Sequence, residues 1–136
     1  MTTEEPSDKL YLEKLIEQSI QSKGSHYDIA MIIYFIYKND YKVNNDKWYK
    51  KNEKSEWIEM EAANDLYINI SRKIFDILTN KYHSLFELSR KAKTLDESDI
   101  LKEKARILKK IADSCKMVNY KNNLIKECKP LFIVDD

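Results

Sequence analysis

The chain has 136 residues, enough for one domain with a real core, and 43% of them are hydrophobic, which excludes disorder throughout. Charged residues make up 35%, but 24 basic residues stand against 23 acidic ones for a formal net charge of +1. An overall basic pull on nucleic acid is therefore excluded, and any such contact has to come from a local patch.

One glycine and two prolines are too few for a sandwich or barrel built on tight turns. They favour helices joined by polar loops. No apolar run of about 18 residues is present, so no segment predicts a membrane span and no membrane partner is expected. The N-terminal MTTEEPSDK is acidic and polar, the reverse of a signal peptide. Cys115 and Cys128 lie far apart in a lysine-rich chain and predict reduced, partly buried thiols rather than a disulfide or a metal site.

In chain order, residues 1–6 predict a disordered tail. Ser7 is the expected cap of a first helix, with Leu12, Leu15, Ile16 and Ile20 on its apolar stripe and Gly24 at a left-handed C-cap. Ser25-His26-Tyr27-Asp28 has the form of a capping box, and residues 29–37, apolar nearly all round, predict a central helix covered on several sides. Over residues 40–60 the pattern changes to an alternation of large and polar side chains, as in half-buried strands. Tyr41 and Val43 mark a first strand, residues 47–51 a second and residues 56–60 a third, with a polar turn through Asn52-Glu53-Lys54-Ser55.

Residues 62–82 predict a long helix in which Leu66, Ile70, Ile74 and Leu78 recur every fourth position. His83-Ser84 is a weak spot before the helical pattern continues to the neighbourhood of Lys93. A second capping box, Thr94-Leu95-Asp96-Glu97, opens a helix through Ser114 with apolar positions at Ile100, Leu101, Ala105, Leu108, Ile111, Ala112 and Cys115. So short a connection predicts that these two helices form an antiparallel hairpin. Residues 122–129 predict a last short helix stopped by Pro130. The apolar Leu131, Phe132 and Ile133 need a cover, so they either pack back or mark a cut before another domain. The expected fold is mainly α (α+β): five to six helices, including the long hairpin, around a small antiparallel β-ribbon. The expected division is an N-terminal tail and helix over 1–24 (linker or addition), a module over 25–132 with its ribbon at 41–60, and a cut or disordered tail at 133–136.

Chemistry is hard to place on this chain. With one glycine, neither glycine-rich phosphate motif can be written. His26 and His83 are too few and too separated for a histidine-rich metal site, and His26 fits a structural or capping role. No nucleophile–base set is assembled, so the segment is expected to be non-catalytic, without a metal or cofactor of its own. Two basic clusters remain. Lys47, Lys50, Lys51 and Lys54 are interleaved with Trp48, Tyr49 and Trp57, an arrangement that can grip phosphates and stack bases. The competing reading makes the aromatics the core face of the ribbon and the lysines its solvated face, with Asp46, Glu53 and Glu56 offsetting the charge. Lys102, Lys104, Arg106, Lys109 and Lys110 share a helix with Glu103 and Asp113, which fits a wet face.

The middle of the chain carries a resemblance. His26-Tyr27-Asp28-Ile29-Ala30 opens an apolar helix; Lys47-Trp48-Tyr49 and Glu56-Trp57-Ile58 follow, then Ile70-Ser71 and a late Leu124-Ile125-Lys126-Glu127-Cys128. This order resembles the module preceding the helicase in poxvirus-type primase-helicases of nucleocytoplasmic large DNA viruses, and is similar to a module of phage and plasmid primases. In that family a primase region comes first and a superfamily 3 helicase follows, a hexameric ring that uses ATP and Mg to unwind DNA. The resemblance covers residues 25–132 and leaves the family's catalytic residues no positions here. It implies a non-catalytic module linking primase and helicase, with those adjoining domains, neighbouring subunits and DNA as partners. It also implies a viral replication site in the host-cell cytoplasm. Under it, His26, Tyr27, Asp28, Trp48, Tyr49 and Trp57 are structural anchors, and Lys47, Lys50, Lys51 and Lys54 are the candidate DNA contacts. The alternative is a free-standing helical protein–protein interaction domain whose hairpin presents a partner groove. A winged-helix reading ranks lower, because residues 27–37 are apolar where a recognition helix would be polar and basic.

Overall fold

The computed structural model describes residues 6–134, in which a three-stranded antiparallel sheet is inserted into a helical chain. Helix α1 (Pro6–Gln21) is followed by α2 (His26–Tyr37), then by strands β1 (Tyr41–Asn44), β2 (Lys47–Lys51) and β3 (Trp57–Met60). After the sheet come α3 (Asn64–Asn69), a π-helical turn (Ile70–Ile74), α4 (Phe75–Arg90), α5 (Leu95–Ser114) and α6 (Val118–Leu131). No helix among the described residues is long and apolar enough to cross a membrane. The mainly helical class with a small ribbon is as expected from the sequence.

Helix α1 already includes Pro6, so Ser7 lies inside it rather than capping it; proline's fixed φ suits a first helical turn. Of the tail expected over residues 1–6, residues 1–5 lie outside the described residues. The α1–α2 corner carries two left-handed residues, Lys23 (φ 57°) and Gly24 (φ 81°). The Lys23 N–H donates to Ile20 O at 3.0 Å and the Gly24 N–H to Ser19 O at 2.8 Å, the pairing of a Schellman stop. Ser25 then caps α2, its hydroxyl accepting from the Asp28 N–H at 3.2 Å. Ile29, Ala30, Ile32 and Ile33 of α2 are fully buried, and Ile16, Ser19 and Ile20 of α1 join the same core.

Leu66, Ile70, Ile74 and Leu78 are all fully buried. An ordinary helix of 3.6 residues per turn would rotate a strict every-fourth stripe by about 40° per step. The wider turn at Ile70–Ile74 absorbs that drift and keeps the stripe on one face. The helix starts at Asn64, two residues later than expected, because Ala62 (φ 50°) and Ala63 (φ 58°) are left-handed. It runs through His83-Ser84 without a break to Arg90. Thr94 caps α5 by accepting from the Glu97 N–H at 3.1 Å, and α4 and α5 pack as the expected hairpin.

The last helix departs most from expectation. It begins at Val118 and continues through Pro130 to Leu131. A proline in the final turn forfeits one hydrogen bond near an end that frays anyway, so it does not stop the helix where the sequence placed the stop. The apolar terminus packs back. Phe132 is 2% exposed, with its ring 5.0 Å from Tyr34, 5.5 Å from Trp48 and 6.4 Å from Tyr41. The Val43 N–H donates to Phe132 O at 2.9 Å and the Val134 N–H to Val43 O at 3.1 Å, so this segment lies along β1 and fixes the sheet to the helices. Residues 133 and 134 of the expected loose tail are thus paired, and residues 135–136 lie outside the described residues.

Candidate nucleic-acid interface

The sheet has the order β1-β2-β3, with Val43 opposite Trp48, Lys42 opposite Tyr49, Tyr49 opposite Glu59 and Lys51 opposite Trp57. Asn45 (φ 52°) and Asp46 (φ 65°) form the tight turn between β1 and β2, both in the left-handed conformation that a two-residue hairpin favours. Successive side chains of a strand point to opposite faces, so the register sorts the ribbon into two sides. Tyr41, Val43, Trp48 and Met60 face the helices; Trp48 is 5% exposed against Phe132. Lys42, Lys47, Tyr49, Lys51, Trp57 and Glu59 share the other, outward side.

On that outward side the Lys42 ammonium lies between two rings, 5.7 Å from the Tyr49 centroid and 4.7 Å from that of Trp57. The Lys51 ammonium is 5.2 Å from Trp57. Tyr49 and Trp57 are half-buried, each with a lysine ammonium over its ring. Lys47 pairs with Glu59 at 3.7 Å across β2 and β3, a solvent-exposed pair that contributes little. Three lysines against one glutamate leave this face basic although the whole chain is nearly neutral.

The lysines expected to act together are divided. Lys47 and Lys51 are on the outward face and Lys54 is exposed in the following turn. Lys50 belongs to the opposite face, at the rim of the helices, where it pairs with Asp65 at 3.2 Å. There Tyr41 donates its hydroxyl proton to Asp65 Oδ2 at 2.5 Å and accepts from Asn69 Nδ2 at 2.8 Å. Burial, reinforced by the bond to Asp65, raises the Tyr41 phenol well above its usual range. Burial, then the nearby Asp40 and Asp65, pushes Tyr37 up to about 12. The buried Tyr37 hydroxyl has no hydrogen-bond partner among the described residues.

The aromatic anchors also divide. Trp48 is core, whereas Tyr49 and Trp57 face outward with the lysines, so neither simple reading of the ribbon holds for all three. His26 packs its ring 5.2 Å from Tyr120, whose hydroxyl donates to Gly24 O at 3.0 Å. Tyr27 is 54% exposed on the outer side of the first turn of α2, and Asp28 supplies the capped N–H. Lys42 is absent from the sequence-derived set. Its signal was the alternation itself, since burying Tyr41 and Val43 turns Lys42 outward.

The second basic cluster is spread around α5. Lys104 pairs with Glu17 at 2.6 Å, Arg106 with Glu103, and Lys109 with Asp113 at 3.5 Å. Along α4 and α5 lies an open groove of about 680 Å³ lined by Tyr82, Phe86 and Met117 together with Lys102, Arg106 and Lys110. Cys115 and Cys128 are free, buried thiols. Burial pushes Cys115 up to about 12 and raises Cys128 well above the usual thiol range, the opposite of what a nucleophilic thiolate needs. No group of three or more His, Cys, Asp or Glu placed to hold a metal ion occurs among the described residues. No known protein family and no curated protein matches this chain.

Proposed function

We propose that this chain is a non-catalytic module of a DNA-replication primase-helicase of the large-DNA-virus type, linking the primase and helicase regions and touching DNA through the outward face of its ribbon. The observation that carries the DNA contact is the grouping of Lys42, Lys47 and Lys51 with Tyr49 and Trp57 on one side of the sheet. Phosphate contacts from lysines position a strand, and the rest of the helical body serves as a rigid mount. The order of the capped apolar helix, the Trp-Tyr…Trp ribbon and the later helices supports the placement within such a protein. Its partners in this reading are the adjoining domains, subunits of the hexameric parent and DNA, at a viral replication site in the host cytoplasm.

Fluorescence anisotropy with labelled single-stranded and forked DNA, at low and moderate salt, tests the contact. Lys42→Glu with Lys51→Glu is expected to weaken binding and flatten its salt dependence, whereas Lys50→Gln, on the other face, leaves both unchanged. Absence of binding refutes the DNA contact. Sequencing the natural reading frame around the chain tests the parent: a downstream phosphate-binding loop supports it, and a frame without one refutes it.

The groove along the α4–α5 hairpin favours a second reading, a protein-interaction domain. Its mixed apolar and basic lining fits one kind of occupant, an acidic amphipathic helix. A labelled peptide of that design is expected to bind and to lose affinity on Phe86→Glu; equal binding by a scrambled peptide refutes it.

A further inference from the structure

The outward face of the ribbon has a property that phosphate contact alone does not need. The chain spends one of its two tryptophans as core, Trp48, and places the other, Trp57, on the solvent side with Tyr49. Lysine ammonium groups of the same sheet lie over both outward aromatics, Lys42 over Tyr49 and Lys42 and Lys51 over Trp57. A surface that only drew in phosphates would carry the lysines without the rings. A surface that bound an apolar peptide would not set two cations over the rings.

Resting on the DNA-contact reading above, we propose that this face is a stacking platform for single-stranded nucleic acid, on which Tyr49 and Trp57 each take one unpaired base while Lys42 and Lys51 hold the phosphates. Three physical points carry it. First, Tyr49 faces Glu59, two residues along β3 from Trp57, so the two residues stand at diagonal positions on neighbouring strands, backbone sites about 7–8 Å apart. Sites set that far apart on the sheet, against the roughly 3.4 Å rise per nucleotide of a stacked B-form strand, fit an extended, unstacked strand better than a duplex. Second, the Lys42 ammonium sits between the two rings, where the phosphate joining two stacked nucleotides would fall. Third, base faces are hidden in a duplex and open in a single strand, and every base has one, so recognition by stacking is selective for strandedness and tolerant of sequence.

The protein's own fluorescence tests this. Trp48 is buried against Phe132, so a base that stacks on the protein can quench only Trp57. The unmodified full chain is titrated with short oligothymidylate and, separately, with a blunt duplex of the same length, following tryptophan emission and the anisotropy of labelled DNA together. The expected result is binding accompanied by quenching, weaker binding to the duplex, and no quenching in a Trp57→Phe variant. Trp57→Ala is expected to bind about five- to hundredfold more weakly, with the salt slope kept, because a ring and not a charge has been removed. Far-UV circular dichroism checks that each variant is folded; the quenching measurement itself needs no substitution. Binding seen by anisotropy without Trp57 quenching, or with equal affinity for the duplex, overturns the stacking platform while leaving the DNA-contact reading intact. No binding to either DNA overturns both.

Discussion

Replacing Phe132 by Ala is expected to destabilise the protein by about 3–5 kcal/mol, the usual cost of deleting a fully buried phenyl ring. The site supports the upper part of that range. Phe132 is 2% exposed and its ring meets Tyr34 edge-on at 5.0 Å, Trp48 at 5.5 Å and Tyr41 at 6.4 Å. Such aromatic pairs contribute about 0.5–1.5 kcal/mol beyond the area they bury, and three of them end on this one ring. A small ribbon needs an apolar face that is covered, and here the cover comes from the helices and the C-terminal segment. Phe132 provides much of that packing. With total stability of about 5–15 kcal/mol expected for a domain, the loss should be plain in a urea titration followed by tryptophan emission, as a lower midpoint at unchanged slope. Ile133→Ala is the control: Ile133 is 57% exposed, and its replacement should change stability by no more than about 0.5 kcal/mol. A loss below about 1 kcal/mol for Phe132→Ala, or equal losses for the two variants, would refute the idea that the C-terminal segment ties the sheet to the helices.

Gly24→Ala is expected to cost about 2 kcal/mol or more, from a left-handed backbone and an overpacked contact together. The residue has φ 81°, and an added Cβ would lie 2.7 Å from Ile111 Cγ1; an unchanged thermal midpoint would contradict this. Thr94→Ala is expected to cost about 1 kcal/mol, with Thr94→Ser restoring most of it, because only the hydroxyl receives the Glu97 N–H; urea midpoints of the two variants decide it. Stability should also fall at alkaline pH. The Tyr37 phenol is raised from 10.0 to about 12 and the Cys115 thiol from 9.0 to about 12, so each stabilises the fold below its ordinary value. That contribution is lost as the pH climbs from the ordinary value through the raised one, because the unfolded chain ionises first. The urea midpoint should therefore drop between pH 9 and pH 12, and a constant midpoint over that window would refute the burial argument.

Capping signals were the most legible part of the sequence, because they are local. Ser25 and Thr94 each accept from the N–H three residues on, at the two helix starts their motifs mark. The misses are long-range. Leu66, Ile70, Ile74 and Leu78 showed a stripe that turns too slowly for a regular helix, but only the packing against the core makes the chain widen a turn rather than let the stripe drift. Ala62 and Ala63 are good helix formers held in left-handed conformations where the chain leaves β3. Pro130 carried a local stop signal that the docking of Phe132 onto the sheet overrides. Burial of Phe132 needs α6 to reach Leu131, and one lost hydrogen bond in a last turn is small beside a buried ring.

The ribbon shows where legibility ends and why. Trp48 and Tyr49 are adjacent in a strand, so the pleat alone requires that one face the core and the other face away. The sequence therefore contained the conclusion that the aromatics cannot all be core and the lysines cannot all be one patch. Which ring goes inward depends on register, and register depends on partners far along the chain. Val43 opposite Trp48, and Phe132 arriving at the far side of β1, turn Trp48 in and Tyr49 out. The same choice turns Lys50 toward Asp65 and brings Lys42 across to Trp57. One register decision thus takes a lysine out of the candidate interface and puts another in. A slip by a single residue would exchange the two faces and bury the lysines, which is why the tie at Phe132 bears on the DNA contact as well as on stability.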